Sequence, residues 1–214
     1  MLLSDKYQIY IFDCDGVILD SNKLKIEAMK NALEAHFSDQ NLIDECIEYF
    51  RLNFGKSRFH HVSYFLNDIL EIEIEKKDTL EKNILSAFSK QCHILYLSAD
   101  ITPGFIDFIS RCKGKRYVAS GSEEKELRDV LSIRGLDVYF DGIFGSPTPK
   151  AKLIEKILKL ENMGEAVMFG DAVSDLEAAK INKIDFVFYS PYSNVSEILS
   201  ELSLKDGFSI LRAW

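Results

Sequence analysis

The 214-residue sequence has few cysteines and no long apolar run, and both absences exclude classes of protein. Its only cysteines are Cys14, Cys46, Cys92 and Cys112, and their spacing fits no metal-binding pattern, so we interpret them as reduced thiols of a cytoplasmic protein. No segment approaches the roughly 20 apolar residues that a membrane span needs. The first apolar run is short and ends in aspartates, so we expect no signal peptide and no membrane partner.

Basic residues are also in the minority. The chain has 26 Lys and Arg against 34 Asp and Glu, which gives a net charge of -8. Binding of nucleic acid without regard to sequence depends on clustered Lys and Arg, so we expect no nucleic-acid partner. With this charge, a phosphate-bearing substrate needs local positive charge or a metal ion. The length suits one domain, or a core domain with a smaller insert.

Strands and helices alternate over most of the chain. Apolar runs predict strands at residues 9–12, 116–119, 143–144, 166–169 and 185–189, with helical periodicity between the later ones. Ser122 is expected to cap the helix that follows the second strand. This alternation predicts an α/β fold with a Rossmann-like, doubly wound parallel sheet.

A helical block interrupts this pattern between the first and second strands. Four apolar stripes at helical spacing occur there with no strand between them. We therefore predict that residues 21–97 form an inserted α-helical domain. Residues 1–20 and 98–214 would then form the core.

Two aspartates follow the first predicted strand. In the segment IYIFDCDGVILDS, Asp13 and Asp15 come directly after the apolar run and precede Gly16. Ligands bind at the carboxyl ends of strands in open α/β sheets. Two carboxylates beside apolar surface are costly unless a cation or a reaction uses them. A tight Asp-x-Asp-Gly turn is the structural alternative.

Polar groups also follow the next two strands. Ser120 and Gly121 lead into a helix N-terminus, which is a natural phosphate cradle, although Ser120 could merely cap that helix. Lys150 lies in the proline-rich segment SPTPK and offers an ammonium group. It could instead be a solvated surface lysine, and Lys152 is a competing candidate.

The fourth core strand is followed by Asp171, with Asp175 one helical turn later. Both could be acids that favour the start of a helix through its dipole. Taken together, however, the ends of the first four strands carry, in chain order, carboxylates, a hydroxyl, an ammonium group and carboxylates. A phosphate and a divalent cation bound side by side need this combination.

The segments DCDGVILDS, YVASGS, SPTPK with Lys150, and FGDAVSDLEAA resemble the four motifs of the haloacid dehalogenase superfamily. The helical insert is similar to the C1-type cap of its phosphatase and phosphoglucomutase branch. The third motif departs from the commoner lysine-proline form of this family. The resemblance covers the core from Ile9 to about Tyr189.

This resemblance implies a metal-assisted reaction. Asp13 would be the nucleophile and would form an aspartyl-phosphate. The expected cofactor is Mg²⁺, held by a side-chain oxygen of Asp13, the backbone carbonyl of Asp15 and the carboxylate of Asp171. Asp175 would be a further ligand or would hold a metal-bound water.

The same resemblance assigns the other roles. Asp15 would be the general acid and base, which requires its pKa to rise toward the working pH. Ser120, Gly121 and Lys150 would bind the phosphate. An acid at Asp15 favours phosphate ester chemistry, because related enzymes that cleave carbon–halogen bonds generally lack it.

We therefore predict a Mg²⁺-dependent phosphomonoesterase of a small phosphorylated metabolite, such as a sugar or hydroxy-acid phosphate. A phosphosugar mutase like beta-phosphoglucomutase is the alternative within enzymes, although Lys25 stands where such mutases usually place a histidine. A non-catalytic phosphoacceptor or a sugar-phosphate binding protein is the alternative from another class.

The insert is expected to determine substrate specificity. Its segment 54–61 combines a glycine with basic residues, and Lys56 or Arg58 could contact polar oxygens of the leaving group. A helix start that happens to be basic is the alternative. The oligomeric state and the placement of segment 205–214 are left open.

Overall fold

The core of the protein is a six-stranded parallel sheet in a computed structural model that describes residues 3–162 and 164–214. The predicted core segments also contain Met1, Leu2 and Met163, which lie outside the described residues. The strand order is β3-β2-β1-β4-β5-β6, and every neighbouring pair is parallel. The strands are β1 (Ile9–Phe12), β2 (Lys115–Glu123), β3 (Gly142–Ser146), β4 (Ala166–Gly170), β5 (Asp185–Tyr189) and β6 (Ser209–Leu211).

Helices pack on both faces of the sheet, which confirms the predicted Rossmann-like fold. The first five lie between β1 and β2: α1 (Asn22–Glu34), α2 (Gln40–Leu52), α3 (Arg58–Tyr64), α4 (Ile74–Ser98) and α5 (Phe105–Arg111). A π-helical turn, Phe65–Ile69, continues α3. The others are α6 (Glu124–Ile133), α7 (Lys150–Leu160), α8 (Val173–Asn182) and α9 (Ser196–Asp206).

The strand β1 is buried on both sides because its residues alternate between two apolar layers. Tyr10 and Phe12 belong to one hydrophobic cluster, and Ile9 and Ile11 belong to the other. In a strand, successive side chains point to opposite faces. A four-residue strand with every position apolar and buried therefore suits the middle of a sheet covered on both faces.

Helices α1 to α4 form a packed group over one side of this sheet, which we call the insert. Their buried faces supply Met29, Ile43, Phe50 and Phe88 to the same hydrophobic cluster that contains Phe12. The apolar spacing seen in the sequence thus corresponds to the interior of the insert. Its boundaries at residues 21 and 97 stay a prediction.

The register of the central strands sets the position of the site. Phe12 lies opposite Val118 of β2 on one side and Phe169 of β4 on the other. The residues that follow these three positions therefore lie at one edge of the sheet.

Among helices of the described ranges, none combines the length and apolarity needed to cross a bilayer.

Candidate active site

A buried lysine and a buried aspartate meet at this edge. Asp13 follows β1 directly and is 2% exposed, and Lys150 is the first residue of α7. The Lys150 Nζ lies 3.1 Å from Asp13 Oδ2 and also forms an ion pair with Asp175. Lys152 is exposed and pairs instead with Glu155 at 2.8 Å. Lys150 is thus the lysine that reaches the acids.

Three buried carboxylates surround this ammonium group. Asp13, Asp171 and Asp175 each offer an oxygen atom, and these atoms lie within 4.8 Å of one another. Burial and the carboxylates of Asp175 and Asp13 raise the pKa of Asp171 well above its usual range. Burial also raises the pKa of Asp13 to about 7, against the opposing effect of Lys150. The cluster has more negative charge than one lysine can balance, so it favours a cation.

Asp175 holds the turn that carries Asp171. Its Oδ2 accepts hydrogen bonds from the backbone N–H groups of Asp171 and Ala172, at 3.1 and 3.0 Å. Its Oδ1 is paired with Lys150. A side chain at Gly170 would collide with Asp175, which explains the glycine at that position. Both oxygens of Asp175 are therefore occupied in supporting the site.

Asp15 turns away from Lys150 and toward the insert. Its Oδ2 accepts hydrogen bonds from Lys25 Nζ at 2.8 Å, Ser122 Oγ at 2.9 Å and Tyr96 OH at 3.1 Å. Its Oδ1 accepts a hydrogen bond from Ser21 Oγ at 2.6 Å. Two helices of the insert, α1 and α4, thus bind the carboxylate of Asp15.

These contacts overturn the expectation of a raised pKa at Asp15. Burial alone would raise the pKa of Asp15. The charge and the hydrogen bond of Lys25, together with hydrogen bonds from the hydroxyls of Ser21 and Ser122, lower this pKa below its ordinary value. A signal for this contact exists in the sequence. Lys25 lies on the apolar stripe of α1 that continues through Ala28, Met29 and Ala32, and a lysine at such a position needs a buried partner.

The residues of the predicted phosphate cradle are part of the second half of β2. The Ser120 Oγ accepts a hydrogen bond from the backbone N–H of Ser122 at 3.1 Å. Glu123, not Ser122, caps α6, because β2 continues to Glu123 and the Ser122 hydroxyl binds Asp15. Gly121 lies so close to the carbonyl of Gly55 that a side chain there would collide with it.

A loop of the insert covers the acid cluster. The Phe54 carbonyl accepts a hydrogen bond from Ser174 Oγ at 2.8 Å. Gly55 adopts a φ of +85°, and a Cβ placed on it would collide with Ser174 and lie 3.2 Å from Lys150 Nζ. Lys56 follows in the loop and donates a hydrogen bond to Asn53 Oδ1 at 2.8 Å. The loop therefore closes over Lys150 without room for a larger residue at position 55.

A cavity of about 260 Å³ lies between this loop, the segment after β3 and helices α7 and α8. Its lining includes Lys56, His60, Lys150 and Ser174, together with the prolines of the segment after β3. Arg58 is not among its lining residues. Arg58 is 6% exposed and its guanidinium forms an ion pair with Glu126 of α6, so contact between Arg58 and a substrate stays a prediction.

The family model of the haloacid dehalogenase-like hydrolases matches residues 7–181, most of the chain. The chain belongs to this family. The match begins before Asp13 and ends after Asp175, so it contains the whole acid cluster and the insert. Within the matched range, the four motifs that resemble this family lie at the ends of β1, β2, β3 and β4, in that order.

A phosphatase and a phosphoglucomutase are among the known proteins similar to this hydrolase. It is 26% identical over 192 residues to the glyceraldehyde 3-phosphate phosphatase of Pyrococcus furiosus, covering 82% of this chain and 77% of that protein. Its fold matches beta-phosphoglucomutase from Clostridium difficile with a TM-score of 0.70 at 19% identity, over 96% and 91% of the two chains. CbbY from Rhodobacter sphaeroides, solved with xylulose-(1,5)bisphosphate, gives 0.70 at 17% identity, over 97% and 94%. The two structural matches show the fold alone.

The donor set of the cluster fits a hard divalent cation. Carboxylate and carbonyl oxygens are the ligands that Mg²⁺ takes in proteins. Within the part of the chain that the structure describes, Asp171 Oδ1 is buried and has no hydrogen-bond partner. A buried carboxylate oxygen without a partner is costly unless a ligand satisfies it. This hydrolase thus offers a cation at least one carboxylate oxygen that no protein group occupies.

Several polar residues of the site were not predicted from the sequence. Ser21, Tyr96 and Ser174 each donate a hydrogen bond to a group at the site. Asn22, also missed, donates to Asp171 Oδ2 at 2.6 Å. For Asn22 the signal was available, because it lies three residues before Lys25 and so on the same face of α1.

Proposed function

We propose that this hydrolase is a Mg²⁺-dependent phosphomonoesterase that works through an aspartyl-phosphate on Asp13. The observation that carries the proposal is the Lys150 Nζ, 3.1 Å from Asp13 Oδ2 inside a cluster of three buried carboxylates. An ammonium beside a buried carboxylate is suited to draw in an anionic phosphate. The surplus of acids beside it supports a divalent cation at the same place.

Asp13 is held ready for attack on phosphorus. Its Oδ1 accepts a hydrogen bond from the backbone N–H of Cys14 at 2.8 Å, and this fixes the plane of the carboxylate. Oδ2 would attack the phosphorus atom in line with the bond to the leaving oxygen, and water would then hydrolyse the acyl phosphate formed. Splitting the displacement into two steps returns Asp13 unchanged.

The metal would be held by Asp13, the backbone carbonyl of Asp15 and Asp171. Asp175 would support it indirectly, because both of its oxygens are bound to protein donors. When bound, Mg²⁺ neutralises phosphate charge that otherwise repels the attacking carboxylate. Lys150 would contribute a second positive charge from the protein itself, and Ser120 with Gly121 would bind the phosphate oxygens.

Asp15 would act as general acid and base. It would protonate the leaving alcohol and later take a proton from the attacking water. Both of its oxygens are bound to donors from the insert and from Ser122, so it must first exchange at least one of these partners. A movement of the insert during turnover would provide this exchange.

The cavity beside Lys150 would receive the leaving group. Its volume of about 260 Å³ suits a small metabolite, and Lys56 would contact polar oxygens there, as in a sugar or hydroxy-acid phosphate. The insert, residues 21–97, would then act as the cap that selects the substrate. Four buried free thiols support a cytoplasmic location for this reaction.

The test is a phosphate-release screen over a panel of phosphorylated metabolites, with Mg²⁺ present or chelated. We expect release with Mg²⁺ for at least one sugar or hydroxy-acid phosphate, and loss of release both on chelation and in Asp13→Asn. Turnover that survives chelation would contradict the metal assignment. Isomerisation of a hexose phosphate on addition of its bisphosphate, without net phosphate release, would identify a mutase instead.

A further inference from the structure

Two buried side chains at the start of α1 and the end of β4 are incompletely satisfied. Asn22 is 1% exposed, and its Nδ2 donates a hydrogen bond to Asp171 Oδ2 at 2.6 Å. Among the described residues, neither Asn22 Oδ1 nor Asp171 Oδ1 has a hydrogen-bond partner, and both atoms are buried. Buried polar atoms without partners are rare in native proteins. Two of them on side chains in direct contact point to a missing ligand.

The orientation of the Asn22 amide is fixed by its surroundings. Nδ2 donates one hydrogen to Asp171 Oδ2 and the other to the backbone carbonyl of Tyr192 at 2.9 Å. A backbone carbonyl can only accept a hydrogen bond, so the Tyr192 carbonyl requires the amide nitrogen on its side. A flipped amide would bring oxygen against oxygen there. The Asn22 side chain therefore spans from α1 to the loop after β5 in one defined orientation.

Asp171 is held on three sides by this arrangement. Asn22 binds its Oδ2, Asp175 binds its backbone N–H at 3.1 Å, and its backbone carbonyl accepts a hydrogen bond from Ser193 Oγ at 2.5 Å. Both oxygens of Asp13 and both oxygens of Asp175 have protein donors. Across the described carboxylates of the cluster, Asp171 Oδ1 is thus the oxygen without a protein donor, and it would bind a cation held together with Asp13.

Capping of α1 does not explain the placement of Asn22. It is the first residue of α1, and the N-cap position belongs to Ser21, which makes no capping hydrogen bond with its side chain. Apolar and small residues fill the other buried positions of the helix beyond Lys25. The amide of Asn22 is used entirely outside α1, at the acid cluster.

We propose that Asn22 is a positioning residue for the divalent cation: it holds Asp171 Oδ2 so that Asp171 Oδ1 faces the metal. Its own Oδ1 would accept a hydrogen bond from a water molecule on the cation, since Mg²⁺ usually keeps several waters. Residues that orient a ligand in this way commonly change metal affinity 10- to 100-fold when removed, by order of magnitude. The inference rests on the metal site of the proposed function.

The test is calorimetric titration of the metal-free protein with Mg²⁺, which needs no substrate. We expect Asn22→Ala and the milder Asn22→Ser to raise the Mg²⁺ dissociation constant by about 10- to 100-fold. Asn31→Ala is the matched control, because Asn31 lies on the same helix but is exposed, and its side chain donates a hydrogen bond to Gln91 Oε1 at 3.2 Å. It should bind Mg²⁺ like the unaltered protein.

A second measurement separates positioning from a general loss of structure. With an active phosphate ester, the Mg²⁺ concentration for half-maximal rate should rise by the same factor in the Asn22 variants. Their rate at saturating Mg²⁺ should return close to that of the unaltered protein. Folded variants, checked by circular dichroism, that bind Mg²⁺ normally would overturn the inference alone. An unaltered protein that binds no Mg²⁺ would overturn the metal site of the proposed function and this inference with it.

Discussion

The Arg58 guanidinium and the Glu126 carboxylate form a buried ion pair between the insert and the helix that follows β2. Their side chains are 5% and 8% exposed, and the Arg58 guanidinium also lies 5.1 Å from the centre of the Phe88 ring. The pair joins α3 of the insert to α6 beside the sheet. It therefore ties the two parts of the molecule together.

Breaking this pair from one side should be costly. We expect Arg58→Leu or Glu126→Leu alone to lower the free energy of unfolding by about 3–5 kcal/mol, because each leaves a buried charge without its partner. The double variant should lose much less than the sum of the two. Urea denaturation of the three variants measures this. Additive losses would show that the two charges do not interact in the folded protein.

The two lysines after β3 provide a matched pair for testing the site. Lys150→Ala removes the buried ammonium beside Asp13 and should lower turnover by about 10²–10³-fold, the range for one lost electrostatic contact to a transition state. Lys152→Ala removes an exposed lysine and should leave turnover nearly unchanged. Steady-state phosphate release compares them. Equal effects in the two variants would remove Lys150 from the phosphate site.

Removal of the acid–base group should slow the reaction without preventing metal binding. We expect Asp15→Asn to lower turnover by about 10²–10⁴-fold, the range for lost general acid–base catalysis. Its backbone carbonyl is kept, so the affinity for Mg²⁺ should change little. Single-turnover phosphate release and a Mg²⁺ titration measure the two effects. Near-normal single-turnover rates would exclude Asp15 from the role.

The loop over the site should be sensitive to one methyl group. Gly55→Ala adds a Cβ that collides with Ser174, so it should displace the loop and lower kcat/KM by about 10-fold or more. Gly207→Ala is the control, because its φ of +76° is also left-handed but nothing lies within 4 Å of the added Cβ. It should cost about 1 kcal/mol of stability and leave kcat/KM intact. Thermal unfolding and kinetics of both variants test this.

A buried histidine in the insert predicts a dependence of stability on pH. Burial lowers the pKa of His61 to about 3, and the side chain is packed against Phe50 and Phe65. Below pH 6.5 the unfolded chain gains a proton here that the folded chain does not, so the free energy of unfolding falls as the pH falls. The loss continues toward pH 3, where the folded protein also binds the proton.

The variant His61→Phe should lack this contribution. Between pH 7.5 and pH 5 the unaltered protein should lose about 2 kcal/mol more of its free energy of unfolding than the variant does. Urea denaturation at both pH values measures the difference. Equal losses in the two proteins would mean that His61 is protonated in the folded state.

Strand β5 could be predicted from sequence to the residue, whereas β2 could not. The run Asp185–Tyr189 begins with an aspartate, is apolar after it and is followed by Ser190, so its limits are set by the local sequence. The second strand was expected at residues 116–119 but extends over Lys115–Glu123. Its last residues include Ser120, Gly121 and Ser122, which favour a loop by themselves. The Ser122 hydroxyl binds Asp15, 107 positions away, and no local pattern reports such a contact.

The C-terminal elements were not predicted. The edge strand Ser209–Leu211 has three residues, and none of them is fully buried. Helix α9 has Leu199 as its one buried residue. Periodicity identifies elements whose apolar positions repeat, so short or weakly buried elements give too little signal.

The convergence of Asp13, Lys150, Asp171 and Asp175 could be predicted because each follows a strand of one parallel sheet. The partners of Asp15 could not, because Lys25 and Tyr96 come from helices whose packing angle decides the contact. The sequence therefore predicts which groups meet at the sheet edge. It does not predict which groups from the insert reach them.

The central place of β1 has a consequence for how the protein is made. Its neighbours in the sheet are β2 and β4, so the carboxylates of Asp13 and Asp171 meet across adjacent strands although the chain between them is long. A nascent chain on the ribosome contains Asp13, the whole insert and Lys150 before β4 is made. The acid cluster thus cannot assemble before β4 and α8 are made, and a growing chain should acquire its affinity for metal ions only once Asp171 and Asp175 have been translated.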